Sequence, residues 1–214
     1  GYGFPRAGER LARLREGVEI FRQSWTTGSA TLDGKHYQVD GAMCFPRPLQ
    51  GTSHPGSQAN GIPMWVAGGG EQKTLRIAAE YADYTNFFGD LEGFRHKSDV
   101  LAGHCKDIGR DFDSIVRSSN YNTAVGRDEA EVEERLRWLQ DHLVRTGQSP
   151  EKAEHAIASM RRQPAVGTPE QVVEKMGALR DAGLGYAIHY FAEAAYDTSG
   201  IELFENEVIP ALAG

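Results

Sequence analysis

Residues 62–82 read IPMWVAGGGEQKTLRIAAEYA, and the fold turns on how this stretch is read. An apolar run, Met64 to Ala67, opens after Pro63 and stops at three glycines. Its length and its β-branched and aromatic content predict a buried parallel strand. Gly68, Gly69 and Gly70 reach backbone angles closed to other residues and carry no side chain to hold a ligand away. The glycines lead into a helix predicted over Gln72 to Tyr81, whose first turn presents unpaired N–H groups and the positive end of the helix dipole. A strand, a glycine turn and a helix start suit an anion such as a phosphate, and also suit a plain strand-to-helix turn. A P-loop is excluded, because Gln72 stands where GxxxxGK[ST] requires glycine, and no GxGxxG fingerprint is completed. Lys73 is placed either to contact the anion or only to decorate the first helical turn.

Outward from this stretch, the pattern alternates. A strand at Tyr84 to Phe88 is followed by a helix from Leu91 to Ile108 and a strand from Ile115 to Val125. Helices then cover Glu129 to Val144, with Val132, Leu136, Leu139 and Leu143 on one face, and Pro150 to Arg162. Thr168, Pro169 and Gln171 have the spacing of a capping box with proline at the first helical position. That helix ends at Gly183, a strand follows at residues 187 to 191, and a last helix covers Ile201 to Leu212, kinked or frayed by Pro210. The charged helix RDEAEVEERLRWLQDHL is expected to carry a solvated face with i,i+4 pairs such as Glu131 to Arg135.

Ahead of the first strand, Leu11, Leu14, Val18, Phe21 and Trp25 form the stripe of an amphipathic helix over Gly8 to Trp25. Residues 29–45, SATLDGKHYQVDGAMCF, predict a hairpin about Asp33-Gly34. Residues 46–61 have loop composition and read as a functional loop or as a linker. The chain is taken as one domain over residues 1–214, with residues 29–61 as an insertion. Four strands joined by helices call for an α/β fold with right-handed crossovers. A complete (β/α)₈ barrel needs about 250 residues and eight strands. The candidates are therefore a small open sheet or the C-terminal half of a barrel.

Composition narrows the function classes. With 40% hydrophobic and 25% charged residues the chain is an ordinary folded one, and its charge of −7 argues against a nucleic-acid or anionic-membrane surface, which needs a basic stripe. Cys44 and Cys105 are far apart, with no CxxC spacing, so free thiols in a reducing, cytoplasmic setting are expected. The histidines lack metal-ligand spacing, and no metal site is expected. Asp83 and Asn86 stand at the second strand as candidates for an active-site mouth or for local hydrogen bonding. His189, between apolar neighbours, reads either as a site residue or as a satisfied buried histidine. An initial glycine in place of methionine leads to the expectation that the chain starts later than its gene.

The landmarks GYGFPRAGERLARLREGVEIFRQSW, HYQVDGAMCFPRP, IPMWVAGGGEQKTLRIAAEYADYTNFFG and VGTPEQVVEKMGALRDAGLGYAIHYF occur in this order along nearly the whole chain. Together they resemble the bacterial-luciferase-like flavin and deazaflavin oxidoreductases. The resemblance implies a (β/α)₈ barrel of which this chain is the C-terminal part, with about four parallel strands, beginning after the fourth strand. It also implies that the coenzyme phosphate lies at Gly68, Gly69 and Gly70, flanked by Ala67 and Thr74. The implied activity is hydride transfer between the deazaflavin coenzyme F420 and a small organic substrate. The alternative is an FMN-dependent monooxygenase, with homo-oligomerisation possible in either case. The resemblance carries no catalytic residue over, because the family's acid/base groups come mostly from the other half. In a reading of a different class, the chain is a non-catalytic half barrel that needs a partner chain to cover its edges.

Overall fold

The computed structural model describes residues 3–49 and 62–213. The expected loop over residues 46–61 lies largely outside the described residues, as does His54. The described chain forms two compact units, one of residues 1–87 with 95–117, the other of residues 88–94 with 118–214.

The first unit opens with helix α1 (Ala7–Thr27), which ends at Gly28 in the left-handed region, φ 85°. The hairpin β1 (Ser29–Asp33) and β2 (Gln38–Met43) follows in antiparallel register, with Asp33 opposite Gln38, as its turn residues predict. Glu16 of α1 seals the hairpin turn: its carboxylate accepts from the backbone N–H of Lys35, His36 and Tyr37. These three bonds hold the Glu16 carboxyl below the ordinary range against the opposing effect of desolvation. The apolar stripe of α1 is only partly covered. Val18 is buried, whereas Phe21 is 52% exposed and stacks on Trp25 at 5.6 Å.

Strand β3 (Trp65–Ala67) pairs in parallel with β4 (Tyr84–Asn86), Trp65 opposite Tyr84, Val66 opposite Thr85 and Ala67 opposite Asn86. Between them runs helix α2 (Thr74–Tyr81), which buries Leu75, Ile77, Ala78 and Ala79. Both strands are shorter than the apolar runs suggest. Met64 and Phe87 are buried but lie just outside the paired residues. Helix α3 (Leu91–Ile108) has the predicted bounds. The last helical turn of α2 is tied down by Arg110, which donates to the carbonyls of Ala79 at 3.0 Å and Ala82 at 2.6 Å.

Strand β5 (Val116–Val125) starts in the first unit, where the Val116 N–H donates to the Asp83 carbonyl, and continues into the second. Helices α4 (Glu129–Arg145) and α5 (Pro150–Met160) follow, capped by Asp128 and Ser149. They enclose a core of Ala124, Val132, Leu136, Ile157, Met160 and Val166, with Leu139 and Leu143 packed against it. Arg135 pairs with Glu131 as expected, yet it is not on a solvated face. Its side chain is 9% exposed and also reaches Ser199 and Asp197. A two-residue strand, β6 (Val166–Gly167), pairs in parallel with the end of β5; it is too short for periodicity to reveal. The capping box of Thr168 and Gln171 starts α6 (Pro169–Asp181), and β7 (Leu184–Phe191) pairs with β5. The final helical stretch is α7 (Ser199–Leu203), a π-helical turn (Phe204–Val208) and α8 (Ile209–Leu212). The break expected at Pro210 is met by this wider turn, which leaves the proline in the first turn of α8, where it has no hydrogen bond to lose. Among the described residues no helix is long and apolar enough to cross a membrane.

Candidate functional site

Alternation along β3 and β4 separates two faces. Val66 and Thr85 are buried, and the Thr85 hydroxyl donates to the Val66 carbonyl at 2.9 Å. The opposite face carries Trp65, Ala67, Tyr84 and Asn86. There the Trp65 and Tyr84 rings stack at 4.6 Å with a 4° interplanar angle, and Trp65 remains 41% exposed. Such a stacked pair gives this face an apolar, aromatic character.

The glycines begin where this surface ends. Gly68 has φ 121°, a conformation that strains any residue with a Cβ, and its N–H donates to the Asn86 carbonyl at 2.7 Å, which locks the loop to the end of β4. A Cβ at Gly68 would meet Thr74 Cγ2 at 3.2 Å, and one at Gly70 would meet Thr74 Oγ1 at 2.8 Å. Thr74 is 8% exposed and packs beneath the loop. Gly69 differs, since a Cβ there would make only ordinary contact, 3.5 Å to Lys97 Cε. The first bond into α2 runs from the Leu75 N–H to the Gly70 carbonyl at 3.0 Å. Among the described residues, the N–H groups of Gly69 to Lys73 have no hydrogen-bond acceptor. Of the residues expected at the site, Gly68, Gly70 and Thr74 are in direct juxtaposition, Gly69 is the open position of the loop, and Ala67 belongs to the exposed sheet face.

Lys73 is directed elsewhere. Its Nζ lies 3.5 Å from a Cβ placed on Gly8, and it lines a groove between α1 and α2 with Arg15, Arg76 and Glu80. Asp83 takes the local role. Fully buried, it accepts from the Met64 N–H at 2.7 Å and faces Arg22 at 3.5 Å. Asn86 serves the loop through its carbonyl. His189 is a satisfied, partly buried histidine in the second unit: Nδ1 bonds the Thr123 hydroxyl at 2.9 Å, and the ring packs on Phe204 at 4.5 Å. Burial pushes its pKa down to about 4, so the ring is neutral at neutral pH.

A cluster about Glu71 went unread in the sequence. Its carboxylate pairs with Lys97 and with His96 Nε2 at 3.0 Å, and its carbonyl bonds His104 Nε2 at 2.7 Å. The Lys97 bond, then the His96 bond, holds the Glu71 carboxyl below its ordinary range. The available signal was the seven-residue step from Lys97 to His104, two helical turns that set both on one side of α3.

The sequence profile of the luciferase-like monooxygenase family matches residues 1–185. The chain belongs to this family. Its similarity to curated members is distant but covers nearly the whole of this chain. It is 26% identical over 227 residues to the F420-dependent glucose-6-phosphate dehydrogenase of Nocardia farcinica, covering 98% of this chain and 63% of that protein. Identity to the protein of the same name from Gordonia bronchialis is 28%, covering 98% and 62%. Solved structures share the fold. The coenzyme F420 dependent tetrahydromethanopterin reductase of Methanopyrus kandleri superposes with TM-score 0.69 at 22% identity, covering 94% of this chain and 63% of its own. An F420-dependent secondary alcohol dehydrogenase, in complex with an F420-acetone adduct, gives TM-score 0.71 at 16% identity, covering 98% and 64%. The EDTA monooxygenase of Chelativorans sp. BNC1 gives 0.70 at 17%, covering 100% and 61%. This luciferase-like chain thus has the α/β fold expected of it, as part of the family's barrel, and spans about 63% of the length of these relatives.

Proposed function

We propose that this chain forms the coenzyme-phosphate side of an F420-dependent oxidoreductase. The observation that carries the reading is the glycine loop. A Cβ at Gly68 or Gly70 would crowd Thr74, and the N–H groups of Gly69 to Lys73 have no acceptor among the described residues. Backbone donors at a helix start fit the phosphate of such a coenzyme. Ala67, Gly68, Gly69, Gly70 and Thr74 would hold that phosphate, and the Trp65–Tyr84 face would offer its rings an apolar surface. When bound, the coenzyme would supply the hydride chemistry; these residues bind and orient it. The F420-dependent relatives support this coenzyme. The substrate would be a small organic molecule.

The second reading, an FMN-dependent monooxygenase, draws on the family's own description and on the monooxygenases among its structural neighbours. Both readings place a phosphate on the same loop. Gly69→Asp tests that placement, since a Cβ at this position makes only ordinary contact, 3.5 Å to Lys97 Cε. We expect the added carboxylate to weaken coenzyme affinity by about tenfold or more in an equilibrium titration. Unchanged affinity would move the phosphate away from the loop.

A further inference from the structure

The glycine loop carries an acid of its own. Glu71 is the one carboxylate in the run from Gly68 to Lys73, and a carboxylate at the mouth of an anion site opposes the anion. Its surroundings answer this charge. Lys97 of α3 passes beneath Gly69, with Cε 3.5 Å from a Cβ position there, and delivers its ammonium to Glu71. His96 reaches the same carboxylate oxygen at 3.0 Å. Two helical turns further along the same side of α3, His104 Nε2 engages the Glu71 carbonyl at 2.7 Å and fixes the backbone of the loop. Lys73, the lysine within the loop itself, takes no part, because its ammonium lies over Gly8.

We propose that Lys97 is the positioning residue that makes this loop fit for a phosphate: by pairing with Glu71 it neutralises the loop's carboxylate and draws it back against α3. The inference rests on the phosphate placement above and goes beyond it by naming which side chain confers anion affinity. Lys97 acts through Glu71 and does not itself need to touch the ligand. The ionised state of Glu71, held by the same bond, agrees with this role. A loop that relied on backbone donors alone would keep its affinity without Lys97. A loop whose carboxylate must be masked would not.

The test is a double-mutant cycle read by the amide resonances of Gly68 to Gly70 in the isotope-labelled chain, with inorganic phosphate as the probe. In the wild-type chain these amides should shift saturably. Lys97→Met should weaken phosphate affinity about tenfold, because Glu71 loses its ammonium partner and keeps only the His96 contact. The double variant Glu71→Gln with Lys97→Met should return to within about threefold of wild type, because no charge remains to mask. A double variant as weak as Lys97→Met would mean that Lys97 acts by packing, and would overturn the proposal. So would an unchanged affinity in Lys97→Met. If the wild-type amides do not respond to phosphate, the site itself fails; a wild-type response with an indifferent Lys97 removes only the role assigned here.

Discussion

His189 shows how partial burial and one hydrogen bond decide what a residue can do. Between Phe204 and Tyr121, with its Nδ1 engaged by Thr123, the imidazole is neutral at neutral pH, its pKa pushed down from the usual 6.5 to about 4. In the unfolded chain the ring takes up a proton near pH 6.5, whereas in the folded chain it resists until about pH 4. Between these values the unfolded state binds more protons, so stability falls as pH is lowered through the window. The loss attributable to this ring is at most about 3 kcal/mol. Denaturant midpoints measured from pH 7 to pH 4 should decline in the wild type, and decline less in His189→Phe, which keeps the aromatic packing and removes the titrating group. Equal slopes would show that His189 is not the source. The two roles open to this residue in the sequence could not be separated there, because the deciding fact, the Thr123 hydroxyl on β5, lies 66 residues away.

Among the elements, α2 is tied at its C-terminal end by a side chain distant in sequence. The carbonyls of Ala79 and of the C-cap Ala82 are satisfied by Arg110, whose guanidinium pKa is lowered by desolvation. Arg110→Met should leave these carbonyls without their donor and lower stability by about 2–3 kcal/mol, read as a fall in the denaturant midpoint with an unchanged slope. A change below about 0.5 kcal/mol would show that water replaces the guanidinium. Element type was largely legible from periodicity. Helix α3, the stripe of α4 and the capping box of α6 appear where the residues predict them. What periodicity could not supply was pairing. The two-residue β6 pairs with Ala124 and Val125 of β5, and Arg135 is drawn off the solvated face by Asp197 and Ser199 far along the chain. The candidate site divides in the same way. The glycine run was readable as a backbone requirement, while the Glu71–Lys97–His104 brace needed α3 to be set beside the loop.

At the scale of the whole molecule, a luciferase-like chain that spans about 63% of its relatives carries two open sheet surfaces, each within its own unit. In the first unit it is the Trp65–Tyr84 face; in the second, Tyr186 and Tyr190 are half exposed, with Asn120 bonded to the Tyr190 hydroxyl. Surfaces of this kind fit either a planar coenzyme or further polypeptide, which keeps the half-barrel reading distinct from the enzymatic one. The phosphate loop is common to the coenzyme readings, so it is where the central claim is tested most directly. That test is a titration of the isotope-labelled chain with F420, with FMN as the comparison, followed at the amides of Gly68, Gly69 and Gly70. Our account predicts saturable shifts of these amides with F420, at lower concentration than with FMN. Tight FMN binding with no response to F420 would contradict the choice of coenzyme, and F420 binding that left all three glycines unmoved would contradict the site.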